Sequence, residues 1–400
     1  MTLPASAPLT DAGSAPARLR IVVGADTYPP DVNGAANFAS RLAVGLAGRG
    51  HDVHVLCPST GPRSFAEKHD GVTVHRISSV GTLVHPTFRL CHPPRAYRAA
   101  EALLDVLTPD VVHIQAHFAV GRALSAAARR RDIPVVATNH FMPENLHGYL
   151  PVPKGLRAAV SRMGWWDLRR VLRTVQLVTA PTPLAVKLLA EHGIPGAIPV
   201  SCGIDLSRFP VSTPDHLVPH VLFAGRLDEE KRVDELLRAV HRLRRDVHLR
   251  VEIVGEGKCR RAWQELAGRL GIAGDVTFHG HVDENALVAA YLRADVFCMP
   301  GVAELQSLAT MDALAAGKPV VAADAMALPH LVRPGETGWL YPPGDIAALA
   351  DRLRRLLDDP AARVRMGAAG RELIAQHAMG STLDRFEALY RGVRKGVRSK

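Results

Sequence analysis

Cysteine is scarce and scattered: the five in this 400-residue chain, Cys57, Cys91, Cys202, Cys259 and Cys298, form no CxxC pair. That spacing excludes a disulfide framework and a cysteine zinc site, leaving free thiols. No apolar run approaches the roughly 18 residues that a membrane-spanning helix needs. Residues 1–18, rich in Ala, Pro and Ser, have no continuous apolar centre of a secretory signal, and read as the disordered lead-in of a cytoplasmic protein. The dinucleotide fingerprint GxGxxG is missing from the first strand–helix turn, which removes the nicotinamide oxidoreductases. No helix-turn-helix, zinc-finger or RNP-type signature accompanies the basic charge, so no nucleic acid partner is expected. A DxD-like pair is also wanting, so the sequence offers no sign of a metal or another cofactor.

What is present is the balance of a soluble globular protein, 47% hydrophobic and 22% charged, in a chain long enough for two domains. Apolar β-rich runs alternate with Ala/Leu/Arg-rich helical stretches, the pattern of parallel sheets covered by helices on both faces. Strands are expected at 20–24, 52–57, 72–77, 111–115, 134–138, 177–180 and 197–199, and a second series at 220–224, 248–254, 275–279, 296–299, 319–322 and 338–341. Between the series, Gly203, Pro210, Ser212, Pro214 and Asp215 mark a junction. The expected division is a lead at 1–18, a first domain at 19–200, a linker at 201–218, a second domain at 219–379, and a C-terminal segment at 380–400. That last segment carries a helix over about 380–394 and a basic tail that crosses back to the first domain. The fold class is therefore α/β, two Rossmann-like doubly wound domains facing across a cleft. Ligands of such sheets bind beyond the carboxyl ends of the strands, which puts the active site between the domains.

Three segments could carry chemistry there. The first strand runs into Ala25–Gly34 and then a helix, so Asn33 and Gly34 sit where a backbone can approach an anion at a helix N-terminus; a purely structural turn accounts for them equally well. Arg226 and Lys231 follow the first strand of the second domain and suit a diphosphate whose charge grows as it leaves; the alternative is a solvated basic face. The segment 300–322 passes from strand to helix to strand and holds Glu304 and Asp312. With a helix starting near Gln306, Glu304 lies at its positive end and Asp312 about two turns inside.

This segment resembles the E-x7-E signature of glycosyltransferase family 4, enzymes of the GT-B fold, and 315–322 matches the A-x-G-x-P-V-V-A run that follows it. Thr138-Asn139-His140 resembles the family's strand-end histidine motif, Ser201–Asp205 its S-N-G-I-D linker, and Gly225-Arg226 to Lys231 its G-R-x-x-x-x-K phosphate motif; Val254–Gly257 and Val276–Gly280 also fit. The resemblance covers about residues 19–390. It implies that Glu304 binds donor-sugar hydroxyls, Asp312 the ribose, and Arg226 and Lys231 the diphosphate. It further implies Gly34 and Asn33 beneath the diphosphate, His140 near the outer sugar hydroxyl, the Leu308 N–H on the phosphates, and Ser307 and Gly280 among the donor contacts. Without the resemblance, Glu304 reads as a helix cap and His140 as a hydrogen-bonded core residue. The sequence departs from the family at Asp312, one methylene shorter than the usual Glu, at Cys202 in place of Asn, and at His330 in place of the Glu of a P-E-x-V turn.

The activity the resemblance implies is metal-independent, retaining transfer of a hexose from a UDP- or GDP-sugar to a hydroxyl acceptor. A retaining glycosidase needs two carboxylates roughly 5 Å apart, whereas residues 304 and 312, if both helical, are roughly 12 Å apart along the axis. Front-face substitution is therefore expected, with closure of the domains excluding water. For the acceptor, the similar segments of diacylglycerol glucosyltransferases and phosphatidylinositol mannosyltransferases suggest a membrane glycolipid precursor; soluble sugars and natural products are the alternatives. Net charge is +10, and residues 1–200 carry 21 Lys+Arg against 13 Asp+Glu while residues 201–400 carry 28 against 26. The stretch 154–173 adds Trp165 and Trp166 among basic residues that include Lys154, Arg169, Arg170 and Arg173. It suits docking on an anionic membrane surface, hence a peripheral place on the inner face of the cell membrane, or else an ordinary surface helix. A non-catalytic nucleotide-sugar-binding protein is the rival of a different class.

Overall fold

The computed structural model describes residues 17–31, 33–82, 89–144, 153–210 and 217–398. Its first part alternates β1 (Arg20–Gly24), α1 (Gly34–Gly48), β2 (Asp52–Pro58), β3 (Phe65–His69), β4 (Val72–Ile77), β5 (Ser79–Gly81), β6 (Arg89–Cys91), α2 (Pro93–Leu107), β7 (Val111–Ile114), α3 (Ala119–Arg129), β8 (Val135–Thr138), α4 (Arg157–Leu172), β9 (Leu177–Ala180), α5 (Pro183–Glu191) and β10 (Ile198–Pro199). The second continues with β11 (His220–Ala224), α6 (Val233–Leu243), β12 (Arg250–Val254), α7 (Arg260–Arg269), β13 (Val276–Gly280), α8 (Glu284–Arg293), β14 (Val296–Met299), α9 (Leu308–Ala315), β15 (Val320–Ala323), α10 (Leu328–Leu331), β16 (Gly338–Tyr341), α11 (Ile346–Leu357), α12 (Pro360–Ala375) and α13 (Met379–Arg398).

Eight strands form the first sheet in the order β10-β9-β8-β7-β1-β2-β4-β3, and six form the second in the order β13-β12-β11-β14-β15-β16. All pairings in both are parallel except β3 with β4. Helices cover such sheets on both faces, so β7, β8, β14 and β15 are buried along their whole length, which is why they read as unbroken apolar runs. The fold is the pair of Rossmann-like domains expected. Three short strands escaped the sequence pattern: β3 is exposed at every position, and β5 and β6, a separate antiparallel hairpin, have three residues each. None presents the apolar run or clean alternation by which a strand is recognised.

In each sheet the strand order reverses once, between β1 and β7 in the first and between β11 and β14 in the second. Those two crevices are where ligands bind in open α/β sheets. The chain's last helix, α13, belongs to the first domain's core, where Leu383, Phe386 and Tyr390 pack among Leu19, Phe38 and Leu42. Phe386 and Tyr390 are fully buried, each contributing about 1.5–3 kcal/mol. The crossing is fastened beside Gly203: the Ile204 N–H donates to His377 O at 2.9 Å and the Met379 N–H to Ile204 O at 2.8 Å. Gly203 has φ +75°, and a Cβ there would meet Thr382 Oγ1 at 2.9 Å, so this turn needs glycine. Residues 1–16 of the expected lead and 211–216 of the expected junction lie outside the described residues.

Candidate active site

After β14 the chain turns through 300–307 before α9 begins. Ser307 caps the helix, its Oγ accepting from the Thr310 N–H at 3.3 Å and from Thr310 Oγ1 at 2.9 Å. The helix therefore starts at Leu308, two residues later than the sequence suggested, because the buried hydroxyl of Ser307 supplies the cap. Leu308 and Ala309 are its first two positions, whose N–H groups have no intrahelical acceptor. Glu304 stands in the turn ahead of the helix, nearly buried, and forms an ion pair with Lys231 from the loop after β11. Backbone bonds from Val302 N–H to Glu230 O, 2.9 Å, and from Ala327 N–H to Glu304 O, 3.0 Å, hold this turn in place. Arg226, half-exposed, lies 3.1 Å from Asp228 Oδ2 and 3.2 Å from Glu230 Oε1. Arg226, Lys231 and Glu304 thus gather at the switch point of the second sheet.

The first domain's switch point faces them. Asn33 accepts from the Ala36 N–H at 2.9 Å and caps α1, so its side chain is committed to the helix. Gly34 opens α1 opposite α9, and a Cβ on it would lie 3.8 Å from Leu308 Cδ1. Two helix N-termini, one from each domain, therefore meet. Helix dipoles favour an anion there.

His140 follows β8 and packs its half-buried ring 4.8 Å from that of Phe38 on α1. Its Nε2 donates to Gln115 Oε1 at 3.0 Å, and its Nδ1 lies 4.0 Å from the Cys202 sulfur. Burial lowers its pKa to about 4, so the ring is neutral at neutral pH. Gln115 in turn rests its amide against His113, 3.3 Å from Nε2. His113 lies 2.6 Å from the Tyr390 hydroxyl and 2.7 Å from Thr138 Oγ1, and burial lowers its pKa to about 3. Cys202 reaches the other domain: its N–H donates to Gln306 Oε1 at 2.8 Å, and Gln306 Nε2 donates to Ser201 Oγ at 3.0 Å. Burial pushes the Cys202 thiol up to about 12, so it is inert.

Asp312 is separate from this cluster. It is buried on α9, 3.9 Å from Arg208 Nη1, and burial raises its pKa to about 6 against the lowering by Arg41 and Arg208. Asp312 Oδ1, Arg208 Nη1 and Arg41 Nη1 are buried with no hydrogen-bond partner among the described residues. Glu304 and Asp312 thus have different cationic partners. Gly280 lies at the sheet's edge with φ +74°, its carbonyl accepting from the Gly255 N–H at 2.8 Å, and the Glu256–Arg260 pair crowds the space a side chain would need. Gln115, His113, Gln306, Arg41, Arg208 and Tyr390 were missed in the sequence because each acquires its role from elements distant along the chain. Only Gln306, inside the signature segment, offered a local signal.

The expected Trp165–Trp166 pair is split by the structure. Trp165 is buried, its Nε1 donating to Glu144 at 2.8 Å and its ring stacked on His192 at 3.7 Å, because it falls on the inner face of α4. Trp166 is 52% exposed with Arg170 over its ring at 5.6 Å. Leu156, Met163 and Trp166 form an exposed apolar stripe beside exposed Arg162, Arg170 and Arg173, whereas Arg169 is half-buried; the side chain of Lys154 lies outside the described residues. Among the described residues, no helix is long and apolar enough to cross a membrane, and no group of three or more His, Cys, Asp or Glu is placed to hold a metal ion.

Family models match both domains: "Glycosyltransferase Family 4" over residues 32–208 and "Glycosyl transferases group 1" over residues 209–373. The chain is 30% identical over 395 residues to a GDP-mannose-dependent alpha-mannosyltransferase of Mycobacterium tuberculosis, covering 94% of this chain and 97% of that one. Among solved structures, sucrose-phosphate synthase from Thermosynechococcus elongatus superposes with a TM-score of 0.80 at 21% identity, covering 94% of this chain and all of that one (100%). Anabaena HepE in complex with UDP-glucose superposes with a TM-score of 0.73 at 16% identity, covering 93% and 99%.

Proposed function

The chain belongs to glycosyltransferase family 4, and from that footing we propose that it moves a hexose from a UDP- or GDP-sugar to a hydroxyl of a membrane glycolipid precursor, with retention and without a metal. The observation that carries the proposal is the meeting of two helix N-termini, at Gly34 and Leu308, beside Arg226 and Lys231. A diphosphate placed there has helix N–H groups and two cations to take up its charge as it departs. The mannosyltransferase relative favours GDP-mannose among the donors.

In this reading Glu304 holds hydroxyls of the hexose, and Lys231 exchanges its contact with Glu304 for the diphosphate when the donor enters. Asp312, whose buried Oδ1 has no hydrogen-bond partner among the described residues, accepts from a ribose hydroxyl. His140 fixes the neighbouring wall. Its Nε2–H is taken by Gln115, so a sugar hydroxyl would be met by its backbone or by Nδ1 after displacement of Cys202. Gly280 and Ser307 shape the pocket by their backbone. The bond from C1 to the diphosphate oxygen breaks, the acceptor oxygen bonds to C1 on the same face, and its proton passes to the departing phosphate oxygen. The different partners of Glu304 and Asp312 support this front-face course over a two-carboxylate one. The basic, apolar-striped face of α4 supports attachment to an anionic membrane.

The test is nucleotide release from a panel of UDP- and GDP-hexoses, with and without lipid and soluble acceptors, with product stereochemistry read by NMR and repeated in chelator. Transfer with retention, from a nucleotide-hexose, to a lipid hydroxyl, and undiminished in chelator is expected. Nucleotide binding with no transfer to any acceptor would make the protein a binding module instead.

A further inference from the structure

The β5–β6 hairpin carries a second feature of the first domain, a cavity of about 580 Å³ whose apolar wall is Pro62, Val80, Leu90, Pro93 and Ala119. That volume lies within the range of sites that enclose small ligands. Val80 is 66% exposed and Leu90 45%, large aliphatic side chains held in water at this cavity. Such exposure draws no stability from burial and is informative when it lines a concavity. The polar side is Ser78, Ser79, His92 and Arg95, with Arg95 Nη1 donating to Ser78 Oγ at 3.3 Å. Among the described residues no carboxylate lines the cavity, and the hydrogen bond of Arg95 goes to a hydroxyl rather than to a carboxylate. An apolar wall under an uncompensated cation is the complement of an anionic amphiphile.

The cavity lies beside the switch point of the first sheet, between β1 and β7. Ala119, in its wall, opens α3, and the next two N–H groups of that helix, Val120 and Gly121, donate to Asp26 at 2.8 and 3.3 Å. Gly121 is required for this approach, since a Cβ on it would lie 1.8 Å from Ala116 O. From Asp26 the loop after β1 leads directly to Gly34, against Leu308 of the donor side.

We infer that this cavity is the acceptor subsite for one alkyl chain of an anionic amphiphile, with the chain against Val80 and Leu90 and the anionic group at Arg95. The inference rests on the transferase reading for the word acceptor, and on the cavity alone for the ligand chemistry. A bilayer surface is a poor occupant, because a concavity of this size admits a single chain rather than a leaflet.

The test is calorimetry on the full chain with inorganic phosphate and n-alkyl phosphates from ethyl to octyl, below micelle-forming concentrations. Affinity should rise about fourfold per methylene until the cavity is full, with inorganic phosphate the weakest. Arg95→Gln should weaken every member by about tenfold, the scale of a charge-assisted contact. Leu90→Trp, at an exposed position that spares the fold, should flatten the dependence on chain length, and both variants should keep the wild-type affinity for nucleotide. Octyl phosphate should inhibit transfer competitively with the acceptor and not with the donor. Octyl and inorganic phosphate binding equally, a chain-length dependence undiminished in Leu90→Trp, or competition with the donor overturns the assignment. Donor turnover is measured separately, so failure of the transferase reading appears as no turnover beside an intact alkyl series.

Discussion

Lys231 and Glu304 illustrate how little a single side chain means by itself in this protein. They are 73 positions apart and become partners only because β11 and β14 are neighbours at the switch point. In the proposed reaction, a cation pre-positioned by a carboxylate exchanges onto the leaving diphosphate, where charge develops. Arg226→Ala and Lys231→Ala should each lower kcat on the order of 100-fold at saturating donor; turnover within about twofold of wild type would remove them from the reaction. Asp312 makes a prediction about stability. Its folded pKa of about 6 lies above the ordinary aspartate value of 3.8, so the folded state holds a proton that the unfolded state has released between these pH values. Stability from this group is therefore lost as pH rises from about 4 to about 6. Asp26 behaves similarly and the buried His113 and His140 oppositely, but all three are common to wild type and Asp312→Asn. The difference in urea midpoint, wild type minus variant, should fall across that window and level off above it. Parallel curves would mean that Asp312 titrates normally.

At the scale of elements, a cap or an exposed face decides what a helix does. The hydroxyl of Ser307 determines where α9 starts, and with it which two N–H groups face the cleft. The rotation of α4 determines which of two adjacent tryptophans meets solvent: residue 165 packs inward beside Leu168 and Leu172, and residue 166 points out with Met163. Each Lys or Arg near an anionic leaflet contributes roughly 1 kcal/mol and the aromatic adds a salt-insensitive part. Arg162→Gln, Arg170→Gln and Arg173→Gln together should weaken sedimentation with anionic vesicles at low salt, and Trp166→Ala should remove the residue of binding that survives at high salt. Nucleotide affinity should not move in either. Equal binding of the wild type to anionic and neutral vesicles would rule out the membrane face and favour a soluble acceptor. Trp165→Ala is the control: it empties a core site and should cost about 3–5 kcal/mol of stability.

Among the described residues, ties between the two large sheets gather at the turn that precedes α9. Gln306 bonds both Ser201 and Cys202, Thr182 Oγ1 donates to Leu305 O at 3.0 Å, and α13 returns to the first core. Two hydrogen bonds at about 0.5–1.5 kcal/mol each are enough to shift an open–closed balance about tenfold. Gln306→Ala should therefore raise the radius of gyration in solution scattering and weaken nucleotide binding severalfold, and scattering identical to wild type would mean that this latch does not govern closure. Much of the architecture was legible in the chain, because fully buried parallel strands need unbroken apolar runs, and the turn residues between them show where runs end. Hence β1, β4, β9, β11, β14 and β16 were recognised within their actual bounds, whereas the exposed β3 and the three-residue β5 and β6 left no pattern to read. The site divides similarly. Sequence alone determined the strand-end placement of Arg226, Lys231, Glu304, His140 and Gly34, because position after a strand in a doubly wound sheet is a local property. The tertiary structure decided who meets whom: Lys231 with Glu304, Gln115 with His140, Cys202 with Gln306, Arg208 with Asp312, and the hairpin that opens a cavity beside α3. These contacts join residues whose nearness depends on strand order and helix rotation, and no local rule of composition or period records either.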